Sequence, residues 1–354
     1  MLQRNKSLID KIVLVDGLGG NGKTLFTSIL PSFAKIEKLN YSEEIEYVCG
    51  LYHLGEVSIN TAAVLIKNFA DLKLYHLMMS REINFRPSDL SSVFNYPDPK
   101  KYIMRLFNAG NETIPDLVEE EKPILHIATH HILPFSQPII SAFGKKVLFL
   151  EILRHPAYMI KQGVLANMNT LIGDVRNFTL HFDYLGNEYP YYVSEWKEKF
   201  HNANNTERAI YWIENYFIAL RSFFKKYKQF MKTQLLFIPF EPFVLNPDKY
   251  LKKMLRFIGT SETSFTNKVL EKQKIPRPKV AAGIDLEIYR RCGWTDQIDG
   301  LSERDEIDLR KKWVEQRVNK RGFKVFLELC DEYEKKYWNP DDPLRISTTA
   351  IRFT

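Results

Sequence analysis

Apolar residues along this chain fall into two patterns. In the first they form short, almost unbroken runs: Ile12-Val13-Leu14-Val15, then residues 123–129, 146–152 and 234–239. Each run is too short for a helix and too uniformly apolar for a strand with one wet face, so each predicts a strand buried on both sides. In the second pattern apolar residues recur at helical spacing, which predicts helices over 25–30, 157–171, 207–232, 250–258 and 323–338. Another helix opens after Leu301-Ser302, with the serine in capping position. Residues 43–117 are helical in pattern, with apolar clusters at 61–66 and 72–79 and turn signals at Arg86-Pro87-Ser88-Asp89 and Tyr96-Pro97-Asp98-Pro99. Alternating buried strands and amphipathic helices predict an α/β fold, three layers α/β/α around a central parallel sheet. Residues 1–354 read as one domain, with 43–117 inserted as a helical cap over the active site and 339–354 as an extended C-terminal tail. No internal repeat of solenoid length is present.

The first strand leads into Gly17-Leu18-Gly19-Gly20-Asn21-Gly22-Lys23-Thr24, the spacing G-x-x-x-x-G-K-[ST] of a phosphate-binding loop. Glycines let successive backbone N–H groups turn inward around a phosphate, and the helix that follows offers its positive end. Lys23 adds a point charge, and Thr24 a hydroxyl suited to phosphate or Mg²⁺. Gly19, Gly20, Asn21, Gly22, Lys23 and Thr24 are therefore the expected nucleotide-binding residues. The net charge of +7 suits an anionic ligand, but the basic residues are interleaved with acids and no aromatic-plus-glycine RNA pattern occurs, so nucleic acid is not expected. The 24 Phe and 18 Tyr imply a core or substrate cleft lined with large rings. Cys49, Cys292 and Cys330 are far apart and odd in number, which fits a reducing compartment, and the polar N-terminus lacks a signal or membrane-spanning run. A cytoplasmic protein without a metal site is the expectation.

Four stretches, taken in order, resemble the sulfotransferase superfamily, P-loop enzymes that move sulfuryl groups from 3′-phosphoadenosine 5′-phosphosulfate to hydroxyls or amines. Residues 15–30 look like the 5′-phosphosulfate loop. Lys122-Pro123-Ile124-Leu125-His126-Ile127-Ala128-Thr129-His130 is similar to the strand ending in a Thr-His pair. Leu153-Arg154-His155-Pro156-Ala157-Tyr158 looks like the element that grips the 3′-phosphate, and Phe240-Glu241-Pro242-Phe243-Val244-Leu245-Asn246-Pro247, with the helix closing in Phe257-Ile258-Gly259, like the acidic strand-end segment. Gly293-Trp294 and Leu301-Ser302 resemble the C-terminal cofactor loop and its helix.

The resemblance implies His130 as general base, with His131 as its rival, Lys23 as the charge on the leaving phosphate, and Arg154 and Gln162 on the 3′-phosphate. Arg291, Gly293 and Trp294 would close over the nucleotide, and the acceptor would sit under the helical cap. Departures from the family pattern keep a second reading open. Gly20 stands where the family loop carries a cation, Gln162 where its helix carries a serine, and Ala128 where a lysine often precedes the histidine. The intact Gly22-Lys23-Thr24 also suits an ATP- and Mg-dependent kinase, with Asp16 or Glu151 as acidic partner of the metal. A nucleotide-binding protein without turnover is the third reading.

Overall fold

A computed structural model of the chain describes residues 2–108, 110–169, 171–284, 290 and 300–343. Its centre is a five-stranded parallel sheet built from β1 (Lys11–Asp16), β2 (Asn40–Tyr41), β3 (Ile124–Ala128), β4 (Val147–Leu153) and β7 (Leu235–Pro239), in the spatial order β2-β3-β1-β4-β7. Ile12, Val13, Leu14 and Val15 are wholly buried, as a strand with neighbours on both edges and helices over both faces requires. A separate antiparallel hairpin joins β5 (His181–Tyr184) to β6 (Asn187–Pro190).

Helices flank the sheet, so the fold is α/β as the alternation predicts. Glu43–Leu54, Ile59–Met78 and Gln137–Phe143 pack together; Pro156–Gly163, Asn205–Lys226, Glu303–Glu315 and Lys320–Lys336 form a second group. The four long apolar runs all become strands within a residue or two of their expected ends. Three features differ. β2 and the hairpin carry no run of apolar residues, and pairing with β3 rather than local pattern makes Asn40–Tyr41 a strand. The helix expected over 157–171 changes at Val164–Met168 to a π-helical turn. The segment from Phe240, matched above to a strand end, turns directly into a helix, Phe240–Leu245, whose first turn tolerates Pro242.

Within residues 43–117, the helix Glu43–Leu54 is the part that faces the loop, through Glu43, Glu46 and Tyr47. The helix Ile59–Met78 packs on Gln137–Phe143, and Pro99–Arg105 is tied to buried Glu37 by Lys101 and Arg105 at 2.8 and 2.9 Å. Of the tail 339–354, residues 344–354 lie outside the described part of the chain.

Candidate functional site

Loop and sheet are locked together by short-range geometry. β1 delivers the chain to Gly17, and Asn21 turns its side chain back: Nδ2 donates to the Ile152 carbonyl at 2.7 Å at the end of β4, while Oδ1 accepts from the Lys23 N–H at 3.1 Å. Asn21 is thus a brace beneath the loop, its side chain buried and committed. Gly22 caps the helix Lys23–Ile29 with φ 92°, and a Cβ placed there would lie 2.3 Å from the Phe240 ring, so no other residue fits.

Lys23 is buried with its ammonium folded inward, donating to the carbonyls of Gly17 and, at 3.3 Å, Leu18. Burial lowers its pKa against the opposing pull of Asp16 and Glu151. Those two carboxylates are register neighbours on β1 and β4 and both are wholly buried, which raises the pKa of each. Asp16 accepts from Thr129 Oγ1 at 2.9 Å and from the N–H groups of Ile132 and Leu133 at 3.1 and 2.7 Å; Glu151 accepts from the Tyr216 hydroxyl at 2.7 Å. They sit behind the loop as its internal scaffold.

In front of the loop lies a cleft of about 360 Å³. Gly19, Gly20, Asn21, Gly22, Lys23 and Thr24 border it, and so do Arg154 and Gln162. Arg154 donates to the Gly20 carbonyl at 2.8 Å, with its guanidinium 4.5 Å from the Phe240 ring centre and 5.3 Å from that of Tyr158. Gln162 packs over Gly20. Lys161, Arg277 and Arg310 complete the cationic wall, and no carboxylate lines the cleft among the described residues. These three cations were not singled out from sequence. They stand in three separate segments among many surface charges, and only folding brings them together. Arg291, Gly293 and Trp294 lie outside the described residues.

A second cleft, of about 580 Å³, adjoins the first and shares Gly19, His130, Ala166 and Asn167 with it. His130 stands at this junction, half exposed, stacked 6.3 Å from Tyr41. Glu46 Oε1 accepts both from the His130 backbone N–H at 3.0 Å and from its ring Nδ1 at 3.1 Å, an interaction in which Nδ1 carries the proton and Nε2 is left as acceptor. Sequence gave no sign of Glu46, since acids at a helix start ordinarily serve the helix end. His131 points elsewhere: it is buried, with its ring against Tyr192 and Trp212 at 4.3 and 5.5 Å, and burial drives its pKa well down. His126 lies inside the sheet, as expected, its pKa pushed by burial down to about 3.

Among the described residues no three His, Cys, Asp or Glu side chains cluster as a metal site, and no helix is long and apolar enough to cross a membrane. Cys49 and Cys330 are buried thiols.

No protein-family model matches the sequence, and no curated protein matches it. Two solved structures are similar in fold. The sulfotransferase domain from the Synechococcus PCC 7002 olefin synthase aligns over 88% of this chain and 97% of its own, with 11% identity and a TM-score of 0.41. The sulfotransferase domain from the curacin biosynthetic pathway aligns over 91% and 98%, with 11% identity and a TM-score of 0.46.

Proposed function

We propose that this protein is a sulfotransferase that takes 3′-phosphoadenosine 5′-phosphosulfate in the cationic cleft and an alcohol or amine in the adjoining one, with His130 as general base. The observation that carries the reading is the meeting of the two clefts at His130: one is lined by Lys23, Arg154, Lys161, Arg277 and Arg310 with no carboxylate among the described residues, and the other is wide and ringed with aromatic side chains. A donor with phosphates at both ends needs cations at both ends. On this reading the loop with Lys23 meets one, and Arg154, Arg277 and Arg310 are the candidates for the other.

In this mechanism the bound donor supplies the sulfuryl group, and the chain supplies position, charge and a proton acceptor. Gly19, shared by both clefts, fixes where they open into each other. Glu46 holds His130 by Nδ1, so that Nε2 takes the proton from the acceptor hydroxyl as its oxygen attacks. Lys23 swings from the Gly17 and Leu18 carbonyls toward the phosphate as negative charge grows there, a short movement of a side chain already beside the loop. Arg154 both steadies the Gly20 carbonyl and faces the cleft.

The kinase reading retains the Gly22-Lys23-Thr24 pattern in its favour. Against it, Asp16 has both carboxylate oxygens bonded within the fold, and Glu151 is bonded to Tyr216. The deciding experiment is calorimetric titration with 3′-phosphoadenosine 5′-phosphate and, separately, with Mg-ATP, on the native chain and on Lys23→Ala and Arg154→Ala. Tight binding of the bisphosphate that both substitutions weaken is expected. Preference for Mg-ATP, with Arg154→Ala indifferent, would overturn the proposal.

A further inference from the structure

The floor of the second cleft carries buried polar side chains. His131, 8% exposed, and Tyr191, 4% exposed, both line it. Neither ring nitrogen of His131 nor the Tyr191 hydroxyl has a hydrogen-bond partner among the described residues. A buried polar atom left unpaired is destabilising, and here three such atoms gather at one place. The fold itself draws nothing from them. Around them stand flat rings: Tyr192 stacks on Trp212 at 6.0 Å, and both border the cleft. Charge adds a further constraint. Asp174 is neutralised by Arg176 at 2.8 Å, whereas Glu43 and Glu46 leave the cleft acidic, opposite in sign to its neighbour.

We propose that this cleft binds an uncharged, polyhydroxylated ring of the glycoside type, with hydroxyls bonded by His131 and Tyr191 and the ring's apolar face laid on Trp212 and Tyr192. The inference rests on the transferase reading for the acceptor's role, though not for its binding. Neutral donors and acceptors beside aromatic faces match the alternation of hydroxyls and C–H groups around a saturated sugar ring. His131 is suited to this part because burial keeps it uncharged, so that one nitrogen donates and the other accepts. The acidic rim repels carboxylated or sulfated rings. The His131 ring nitrogens and the Tyr191 hydroxyl are all covered before binding, so on this proposal both side chains shift to meet the ligand's hydroxyls.

The test uses the full chain with 3′-phosphoadenosine 5′-phosphate present. Saturation-transfer NMR and titration are run with methyl β-glucoside, methyl β-galactoside, methyl β-glucuronide and 2-naphthol. Tyr191→Phe removes one oxygen from a site where it bonds nothing, so thermal stability should hold or rise while affinity for the neutral glycosides falls about tenfold. His131→Asn is the second variant, because asparagine tolerates the φ of 46° at that position, and it should weaken the glycosides similarly. Affinity for the bisphosphate should stay unchanged in both. Binding of naphthol or the glucuronide in preference to the neutral glycosides, or indifference of the glycosides to both variants, overturns the inference. Glycoside binding that the variants weaken, in a protein that ignores the bisphosphate, would uphold this pocket and sink the transferase reading instead.

Discussion

Three histidines within six positions, His126, His130 and His131, show what a single residue's surroundings decide. Sequence could place the first inside a strand because its neighbours Leu125 and Ile127 are strand residues, but it could not separate the other two. The left-handed turn at His131, with φ 46°, sends the two side chains apart, one to the junction of the clefts and one beneath the aromatic floor. His130→Ala should therefore lower kcat by about 10²–10⁴ while bisphosphate affinity holds. In the proposed mechanism Glu46 acts on the reaction only through His130. Glu46→Gln should cost about tenfold in kcat with little change in KM for the donor, and Glu46→Asp should recover part of the loss. Steady-state kinetics on the three variants check this; a donor KM that rises in step with the fall in kcat would assign Glu46 to folding of the loop.

Elements were legible where burial is uniform. The strands with two buried faces announce themselves as apolar runs, and the Ser302 capping box, with Asp305 returning a bond to the Ser302 N–H at 3.0 Å, marks its helix in advance. The edge strand β2 was hidden because long-range pairing with β3 makes it, the hairpin because it carries no apolar run, and the cationic wall because its members come from different elements. Beside β2, Glu37 ties its segment to the helix Pro99–Arg105: it is wholly buried and accepts from Lys101 at 2.8 Å, from Arg105 at 2.9 and 3.1 Å, and from the Tyr102 hydroxyl. Burial alone would raise its pKa, but Lys101 and Arg105 override that and hold it down at about 2. A carboxylate whose folded pKa is depressed stabilises the fold above its unfolded value of 4.5 and loses that contribution as pH falls toward 2. Thermal melts should accordingly show Tm falling across this interval. Glu37→Gln, which strands Arg105 in the interior, should destabilise at neutral pH by about 3–5 kcal/mol and flatten the acid dependence. An unaltered acid limb in the variant would place the sensitivity at other carboxylates.

At the scale of the whole molecule the net charge of +7 says little, because the charge is sorted. Five cations converge on one cleft, while the adjoining cleft carries an acidic rim, and the two meet within a few residues of His130. On the proposed reading, such an arrangement would steer two chemically different ligands to neighbouring places and keep each from the other's cleft. It also makes their binding respond differently to salt. Between about 0.1 M and 1 M ionic strength the screening length shrinks from ~10 Å to ~3 Å, which weakens the pull of cations that do not touch the ligand. Affinity for 3′-phosphoadenosine 5′-phosphate should therefore fall by about tenfold or more over that range, whereas a neutral glycoside in the second cleft should change by less than about twofold. Arg310→Gln tests the source of the effect. Arg310 borders the cleft but is partly committed to Glu306 at 2.7 Å and to the Tyr158 ring at 4.5 Å, so its removal should lower bisphosphate affinity and reduce the slope of log Kd against log salt together. If affinity falls while the slope stays as it was, Arg310 shapes the cleft through Tyr158 and lends no charge to the ligand.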